Sequence, residues 1–546
     1  MSFMSRLLAR LAKLPPAETY DLVVERDIAV SAPDGVSLLT DIYAPRGRDQ
    51  LPTILARSPY GRAGLFGLLL GRTFAERGFR AVVQSCRGTF GSGGDFNPFR
   101  HERADGLATV AWIKQQPWFN GQLATVGPSY LGLTQWSVAR EAGPELQAMS
   151  TWITSAEFRS IIYPGEAFWL ESGLSWAVAM HTQEKRSWRD FVASLRSEDS
   201  NMPGYRTLPL IDAPKTMLGH PVQFWQDWIS HDQPGDDWWS AVDFTADVPH
   251  ITAPNLMIGG WYDIFLPQTL RDYQMLRQAG QQPYLTIGPW AHTDLPLMPV
   301  ALRESLAWFR AHLLGDRAGL RQAPVRLFVM GANEWREYPD WPMTGTRPRR
   351  WHLQPQGTLS PAPPPTSAPD HYRYDPNSPT PSVGGASMAK STGAKDNRPL
   401  EARSDVLLYT SAPLEQAEEY IGAVTAELYV QSSRAHTDFF VRLCDVDPAG
   451  KSTNITDQLC RIVPGQPAPE ADGTLKLVIE LWPMAYQFKK GHRLRVQVSS
   501  GAFPRWSRNP GTGEPIATAQ TLHPAEQTIF HDPAHPSALI LTQTIG

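Results

Sequence analysis

A serine, an aspartate and a histidine follow one another along this chain in a setting that suits nucleophilic catalysis. Ser129 lies in the hexapeptide Gly-Pro-Ser-Tyr-Leu-Gly, Asp263 ends the pentapeptide Gly-Gly-Trp-Tyr-Asp, and His292 ends the pentapeptide Gly-Pro-Trp-Ala-His. A serine hydroxyl is a poor nucleophile at neutral pH unless a base accepts its proton. Histidine is the usual base, and a carboxylate fixes its tautomer. We therefore predict a triad in which Ser129 attacks, His292 transfers the proton and Asp263 orients His292.

The segments around these residues predict how they come together. Ser129 follows a strand-like run at residues 123–126 and precedes a predicted helix over residues 133–142. A serine between a strand and a helix, flanked by small residues, is the context of a nucleophile elbow. Asp263 and His292 each follow an apolar run of the kind that forms a buried strand. Because parallel strands end at one edge of a sheet, we expect all three side chains at that edge.

Alternating strand and helix patterns before and after Ser129 predict an α/β fold with a mostly parallel sheet covered by helices on both faces. From about residue 155 to 242 the chain is rich in aromatic residues and helix formers, which predicts a helical insertion. After about residue 350, short strand patterns between turns predict a β jelly roll. We therefore predict an α/β-hydrolase domain in two parts, residues 1–153 and 244–349, an inserted helical lid at 154–243, and a jelly-roll domain at 350–546.

The composition excludes several classes of protein. The chain has 546 residues and a formal net charge of −4, which gives no electrostatic reason to expect nucleic acid or an anionic membrane as a partner. No run approaches the ~18 apolar residues of a membrane span. Three cysteines, Cys86, Cys444 and Cys460, form no CxxC pair, so we expect inert thiols, no metal site and a cytoplasmic protein. Homo-oligomerisation stays open.

Residues 1–14 form a basic, amphipathic segment in which leucines alternate with Arg6, Arg10 and Lys13. The segment lacks the continuous apolar stretch and the small-residue cleavage site of a secretory signal. We interpret it as a helix packed on the body of the protein, with a surface or targeting segment as the alternative.

Acyl transfer also needs hydrogen-bond donors for the developing oxyanion. The backbone N–H of Tyr130, next to the nucleophile, is the usual first donor. The second donor is expected from residues 57–61, Arg-Ser-Pro-Tyr-Gly, which lack the Gly-Gly run that would present a backbone N–H. The hydroxyl of Tyr60 is the candidate, and the residues alone leave this role open against ordinary packing.

Motifs along the chain resemble, in order, those of the family that contains bacterial cocaine esterases, X-Pro dipeptidyl-peptidases, α-amino acid ester hydrolases and glutaryl acylases. They are Ser-Pro-Tyr at 58–60, Arg-Gly at 87–88, the serine hexapeptide, the two pentapeptides that end in Asp263 and His292, Tyr-Asp-Pro at 374–376, Gly-Gly at 384–385, Gly-His-Arg at 491–493 and Arg-Asn-Pro at 508–510. The resemblance covers about residues 27–542.

The resemblance implies the same three domains and assigns the second oxyanion donor to the Tyr60 hydroxyl. It also implies no metal and no organic cofactor. The chain departs from many relatives in having Ser-Cys before Arg-Gly at residues 85–88, where they carry an aspartate. Family members that act on α-amino acid esters hold the substrate ammonium with carboxylates. Asp236 and Asp237 are candidates for part of such a cluster, with helix capping as the alternative, and no acid occurs between Tyr130 and Trp136. A free amino group on the substrate is therefore not expected.

These observations predict a serine hydrolase that cleaves small-molecule carboxylic esters through an acyl-enzyme, with bulky or aryl acyl esters as the class that the resemblance favours. We expect an aromatic, apolar pocket lined by Tyr130, Trp169, Trp261 and Phe265. An amidase or acylase, or an X-Pro-type peptidase, would use the same triad and is the nearest alternative. A non-catalytic protein that binds glycans through the jelly roll is the alternative from a different class.

Overall fold

The computed structural model describes residues 2–185 and 188–545. Met1 and Gly546, at the ends of the first and last predicted segments, lie outside the described residues. Two large β-sheets organise the described chain, one of ten strands and one of eleven. The first sheet is assembled from two stretches of sequence that a helical segment separates.

The first sheet holds all three predicted triad residues at the ends of its strands. Its members are β1 (Leu22–Ser31), β2 (Ser37–Pro45), β3 (Leu51–Ser58), β4 (Arg80–Ser85), β5 (Phe119–Pro128), β6 (Leu146–Trp152), β7 (Asn255–Tyr262), β8 (Tyr284–Ala291), β9 (Val325–Val329) and β10 (Glu334–Tyr338). Their spatial order is β1-β2-β4-β3-β5-β6-β7-β8-β9-β10. The strands from β4 to β9 pair in parallel, and antiparallel pairs lie at both edges. Strands β3 and β4 are buried along their whole length, as expected for a sheet with helices on both faces.

Most of the described helices precede, cover or interrupt this sheet, and the last lies between strands of the second sheet. In chain order they are α1 (Ser2–Leu11), α2 (Gly64–Phe66), α3 (Thr73–Ala75), α4 (Glu102–Lys114), α5 (Tyr130–Ala139), α6 (Arg159–Ile162), α7 (Leu170–Thr182), α8 (Trp188–Leu195), α9 (Glu198–Arg206), α10 (Ala213–Leu218), α11 (Gln223–Ser230), α12 (Leu266–Gln278), α13 (Leu297–Leu313) and α14 (Arg398–Glu401). A π-helical turn at Gly67–Arg72 joins α2 to α3, and 3₁₀ turns lie at Pro164–Glu166, Gln183–Lys185, Leu210–Asp212, Asp237–Val242, Thr245–His250 and Pro355–Gly357. Helices α6 to α11 form the helical segment between β6 and β7.

Strands β7 and β8 run four residues further than the apolar runs at 255–258 and 284–287 predict. Gly260 and Gly288 pair across the two strands. A Cβ on Gly260 would lie 2.2 Å from the backbone oxygen of Trp290, so only glycine lets the two backbones approach this closely. As a result, Asp263 and His292 are the first residues beyond their strands.

The second sheet is built from the remaining strands, which are β11 (Thr346–Gln354), β12 (Thr358–Ser360), β13 (Asp370–Tyr374), β14 (Leu407–Ser411), β15 (Glu418–Ser432), β16 (Thr437–Val446), β17 (Ser452–Ile462), β18 (Leu475–Phe488), β19 (Arg493–Ser499), β20 (Ala525–Phe530) and β21 (Ala538–Thr544). Apart from the parallel pair β12–β14, its ladders are antiparallel. The predicted fold class, an α/β domain with a helical insertion and a C-terminal jelly-roll domain, is confirmed. The residue boundaries of the four segments stay predictions.

None of the described helices is long and apolar enough to cross a membrane. The three cysteines are unpaired thiols, and Cys86 and Cys444 are buried. Burial raises the pKa of the Cys444 thiol to about 12, so this thiol is un-ionised and unreactive at neutral pH.

The helical segment rests directly on the second sheet. Gly165 has φ 65°, and a Cβ there would lie 1.8 Å from the carbonyl oxygen of Leu459, so backbone meets backbone at this point. The indole rings of Trp169 and Trp506 stack with centroids 5.9 Å apart. The Trp506 indole N–H also donates to the carbonyl of Pro164 at 3.2 Å. These contacts hold the helical segment against the C-terminal domain.

Glu171 is a carboxyl group buried at this same junction. Its Oε2 accepts hydrogen bonds from the hydroxyls of Ser387 at 2.7 Å and Ser172 at 2.9 Å. Burial, the largest effect, raises the pKa of Glu171 to about 7, and the two hydroxyl donors only partly oppose it. Between pH ~4.5 and pH ~7, Glu171 is therefore protonated in the folded protein, whereas in the unfolded chain, where its pKa has the ordinary value of 4.5, it is ionised.

We expect Glu171→Gln to flatten the pH dependence of stability. Because the folded pKa is raised, the contribution of protonated Glu171 is fully present below pH ~4.5 and is lost as pH rises through about 7. Between pH 5 and pH 8 the wild type should lose up to roughly 3 kcal/mol that the glutamine variant keeps. Thermal unfolding of both proteins across this range measures the difference, with exposed Glu480→Gln as the control. Parallel curves for wild type and Glu171→Gln would contradict the assignment.

Candidate active site

Ser129 occupies a strained turn between β5 and α5. Its backbone has φ 55° and ψ −122°, a conformation that a residue with a side chain rarely adopts. Two hydrogen bonds hold it there: the Ser129 N–H donates to the carbonyl of Trp152 at 2.8 Å, and the Thr154 hydroxyl donates to the Ser129 carbonyl at 2.8 Å. The side chain of Ser129 therefore stands out above the sheet edge, as a nucleophile elbow requires.

Two glycines make this turn sterically possible. Gly127 has φ 149°, and a Cβ there would lie 2.4 Å from the Cβ of Leu131. A Cβ on Gly132 would lie 2.3 Å from the side chain of Thr154, the residue that holds the Ser129 carbonyl. The glycines of the hexapeptide are thus required by close packing on both sides of the serine.

The structure brings the three predicted triad residues into hydrogen-bonding distance. The Nε2 atom of His292 lies 3.0 Å from the Ser129 Oγ, and its Nδ1 atom lies 2.6 Å from the Asp263 Oδ1. Asp263 is fully buried, and its second oxygen accepts the backbone N–H of Phe265 at 3.2 Å. With the carboxylate accepting from Nδ1–H, the Nε2 lone pair faces the serine hydroxyl, which is the orientation that proton transfer needs.

The two candidate oxyanion donors are the backbone N–H of Tyr130 and the hydroxyl of Tyr60. The N–H of Tyr130 belongs to the first turn of α5, where N–H groups have no acceptor within the helix. The hydroxyl oxygen of Tyr60 accepts the indole N–H of Trp176 at 3.1 Å. Burial raises the pKa of Tyr60 far above its ordinary value, although hydrogen bonds to Trp176 and Ser129 work in the opposite direction. Tyr60 is therefore protonated at neutral pH and can donate.

The side chain of Tyr130 points into the protein. Its hydroxyl donates to the Glu102 Oε1 at 2.7 Å and accepts the backbone N–H of Phe99 at 2.9 Å. Glu102 in turn forms a buried ion pair with Arg57 at 2.7 Å. The residue that follows the nucleophile is thus anchored to α4 and β3 through a buried charge pair.

An apolar cavity of about 480 Å³ opens beside Ser129 and His292. Ten aromatic side chains line it, namely Tyr60, Phe66, Phe99, Tyr130, Phe158, Trp169, Trp176, Phe191, Trp228 and Phe265. Three of the four predicted pocket residues, Tyr130, Trp169 and Phe265, thus lie at its wall. Trp261 is not among the lining residues, and its indole N–H donates to the Phe328 carbonyl of β9 at 2.7 Å.

Several wall residues have no counterpart in the sequence prediction. Trp176 reaches the site from α7, Met388 from the C-terminal part of the chain, and Leu8 and Leu11 from α1. The leucine pattern of α1 is visible in the sequence, but the surface against which it packs is not. Trp176 is one of many tryptophans in the helical segment, and nothing in its neighbours marks it.

Acidic groups contribute little to the cavity. Among the described residues that line it, Asp294 is the one carboxylate, and its Oδ2 accepts the backbone N–H of Ala291 at 2.8 Å. Asp236 does not line the cavity; it accepts the Trp238 N–H at 2.8 Å as the cap of a 3₁₀ turn and pairs with His231. The described walls therefore favour an uncharged ligand.

Metal-binding residue types meet elsewhere in the described chain, far from the serine in sequence. Glu470, Asp472 and His535 place ligand-type atoms within 4.8 Å of one another, with both acids exposed. Exposed acidic groups commonly show this arrangement without an ion, so it does not identify a metal centre.

Two family models match the chain. The model described as X-Pro dipeptidyl-peptidase (S15 family) matches residues 34–294, which include Ser129, Asp263 and His292. The model described as the X-Pro dipeptidyl-peptidase C-terminal non-catalytic domain matches residues 318–540, which include strands β11 to β20 and the start of β21.

Full-length similarity extends these matches. The chain is 31% identical to the cocaine esterase of Rhodococcus sp. (strain MB1 Bresler), over 95% of this chain and 98% of that protein. Among solved structures, an aminopeptidase from a marine sediment Thaumarchaeota archaeon superposes with a TM-score of 0.82 at 22% identity, covering 97% of this chain and 98% of that one. An α-amino acid ester hydrolase superposes with a TM-score of 0.80 at 21% identity, with the same coverage. At these levels of identity, the two superpositions show that the chains share a fold.

We expect Gly132→Ala to slow the reaction of Ser129 with a fluorophosphonate probe by about 10–100-fold, because the new Cβ displaces Thr154 and with it the Ser129 carbonyl. Overpacking should also lower the free energy of unfolding by about 1–3 kcal/mol. Labelling rates and thermal unfolding measure the two effects. Gly319→Ala is the matched control, since its Cβ would lie 3.5 Å from its nearest neighbour, the Cβ of Ala307. Unchanged labelling of Gly132→Ala would show that the elbow tolerates this displacement.

Proposed function

The chain belongs to the X-Pro dipeptidyl-peptidase (S15) family as a cocaine esterase-like member and is a serine ester hydrolase, and on that premise we propose that Ser129, His292 and Asp263 form its catalytic triad. The observation that carries this assignment is the continuous chain of contacts from the Asp263 carboxylate to His292 Nδ1, 2.6 Å, and from His292 Nε2 to the Ser129 hydroxyl, 3.0 Å. A nucleophile, its base and the group that orients the base are thus in line.

The proposed reaction has two halves. In the first, Ser129 Oγ bonds to the acyl carbon while His292 Nε2 takes its proton, and His292 then gives this proton to the departing alcohol oxygen as the ester C–O bond breaks. In the second, His292 takes a proton from water, whose oxygen attacks the acyl carbon, and returns it to Ser129 Oγ as the acid leaves. Because a protonated imidazole cannot accept the serine proton, activity should fall in acid.

The tetrahedral intermediates carry a negative oxygen that needs donors. We assign the Tyr130 N–H and the Tyr60 hydroxyl to this role. The surroundings of Tyr60 support it: the ring is partly buried among apolar side chains, and a donor in a water-poor site stabilises charge more strongly than one in bulk water. The Trp176 indole, which donates to the Tyr60 oxygen, holds the phenol in place and polarises its O–H.

The substrate that this cavity favours is an uncharged ester with a bulky or aryl acyl group. A volume of about 480 Å³ accommodates such a group, and the aromatic walls offer large apolar surfaces rather than charges. Likeness to the Rhodococcus cocaine esterase favours the same class. An amide substrate would use the same groups, so hydrolysis rates of matched esters and amides decide between the two.

We expect Ser129→Ala to lose at least ~10³-fold in kcat on 4-nitrophenyl esters, because the substitution removes the hydroxyl that forms the proposed acyl-enzyme. The measurement is hydrolysis of a panel from acetate to octanoate plus benzoate by wild type and variant in parallel. The rank order of the esters also measures the acyl pocket. Turnover of these esters by the alanine variant would refute the serine mechanism, and failure of the wild type on every ester would turn the search to amides and glycans.

We expect Tyr60→Phe to lower kcat about 10²–10³-fold with little change in KM, because the hydroxyl acts on the oxyanion and not on the bound ester. Steady-state kinetics on the best ester of the panel measures both constants. Tyr372→Phe is the matched control, since that buried hydroxyl contacts Ser500 at 2.8 Å within the C-terminal domain. If Tyr60→Phe keeps kcat within about twofold, the second oxyanion donor is another group.

A further inference from the structure

Helix α1 lies at the mouth of the active-site cavity. Leu8 and Leu11 of this helix line the cavity, as does Leu295 on the segment after β8. Leu11 is 71% exposed and Leu295 is 78% exposed, so these two side chains touch both the cavity and the solvent. Residues with that double contact form the rim of the opening.

The inner face of α1 is fixed to the body of the protein. Ser5 of the helix and Ala12, the residue directly after it, are buried, and the Ser5 hydroxyl donates to the carboxylate of Glu76. The carbonyl of Ala12 accepts the Arg303 guanidinium at 2.6 Å. The helix is therefore held in one orientation, and it cannot turn its outer side chains inward.

The outer face of α1 carries apolar side chains in contact with water. Phe3 is 74% exposed, Met4 54% and Leu7 39%, and with Leu11 they follow the three- and four-residue spacing that places them on one side of the helix. Of the ten large apolar side chains that the described chain leaves exposed, these four and Leu295 make five. We call these five residues the rim patch. A clustered patch of this kind marks an interaction surface.

Basic residues flank the rim patch. Arg6, Arg10 and Lys13 are exposed, and residues 2–14 contain no acidic side chain. This local charge is positive although the whole chain carries −4. An exposed apolar stripe beside a basic stripe on one helix is the arrangement by which amphipathic helices lie in the headgroup region of anionic bilayers.

We propose that the rim patch docks on an anionic lipid surface and that the cavity takes lipophilic esters directly from it. Phe3, Met4 and Leu7 would enter the headgroup boundary while Arg10 and Lys13 contact lipid phosphates. An ester in the outer lipid layer would then pass Leu11 and Leu295 into the apolar cavity without crossing bulk water. The supply of ester rests on the proposed function, whereas docking of the patch does not.

The test is cosedimentation of the whole protein with vesicles of pure phosphatidylglycerol or pure phosphatidylcholine. We expect wild type to bind phosphatidylglycerol at least ~10-fold more tightly, and 0.5 M NaCl to weaken this binding several-fold. Phe3→Ser/Leu7→Ser should lower the affinity at least ~10-fold, and Arg10→Gln/Lys13→Gln should remove the preference for phosphatidylglycerol. Leu314→Ser/Val478→Ser, which changes two exposed apolar residues elsewhere, should bind like wild type.

Activity separates the two parts of the inference. With 4-nitrophenyl butyrate in water, Phe3→Ser/Leu7→Ser should match wild type, which also shows that it folds. With 4-nitrophenyl palmitate carried in phosphatidylglycerol vesicles, its rate should fall at least ~10-fold. Equal rates there would overturn the supply of ester from the surface. Absence of vesicle binding by wild type, or a dimer that the double variant abolishes in its place, would overturn docking. Failure on soluble butyrate by wild type would count against the proposed function alone.

Discussion

The backbone of Ser129 is held in a conformation that costs free energy, and much of the site is arranged around that fact. A residue at φ 55° and ψ −122° keeps this geometry only when its surroundings leave it no alternative. The Trp152 carbonyl and the Thr154 hydroxyl bind the two backbone polar groups of the serine, and glycines on both sides remove the atoms that would clash. Both bonding partners lie in or just beyond β6, the neighbour of the strand that carries the serine.

Glycines also allow close backbone packing in the strands that lead to Asp263 and His292. Gly260 and Gly288 let β7 and β8 continue their pairing to the residue before Asp263 and His292, so that these side chains leave the sheet side by side. Below the elbow, Tyr130 is tied to Glu102 and Arg57, a buried ion pair whose carboxylate receives further hydrogen bonds. A buried pair of this kind is costly to disrupt. The helix that follows Ser129 is therefore anchored from inside the protein, and aromatic side chains of the helical segment line the cavity beside the serine.

The sequence predicts what depends on local chemistry. The order of Ser129, Asp263 and His292, and the strand-like runs before each, follow from residue types, and the structure places these residues together as a strand-end arrangement implies. The role of Tyr60 could not be derived from its neighbours, because an exposed loop and a buried loop of the same composition look alike; the resemblance to a family supplied it.

Long-range contacts are where sequence reasoning ends. The bond from Trp176 to Tyr60 joins positions 116 apart, and every tryptophan of the helical segment fits the pattern equally well. Trp261 shows the opposite error. It lies two residues before Asp263 in sequence and is expected at the pocket, but β7 extends through it, so the strand and not a loop at the sheet edge sets the direction of its side chain. Its indole consequently packs toward Phe328.

Because Met388 of the C-terminal part lines the cavity, the cavity cannot be completed early in cotranslational folding. When synthesis has reached residue 350, Ser129, Asp263 and His292 have already been made, whereas Met388 and Trp506, which stacks on Trp169, have not. Domains tend to fold in the order in which they emerge, at about 5–20 residues per second. At those rates, synthesis of the remaining residues takes on the order of ten seconds. During that time we expect the nascent chain to expose the incomplete apolar cavity, which is the kind of surface that chaperones bind. The active-site cavity is therefore complete only after the C-terminal domain has been synthesised and has packed against the earlier part of the chain.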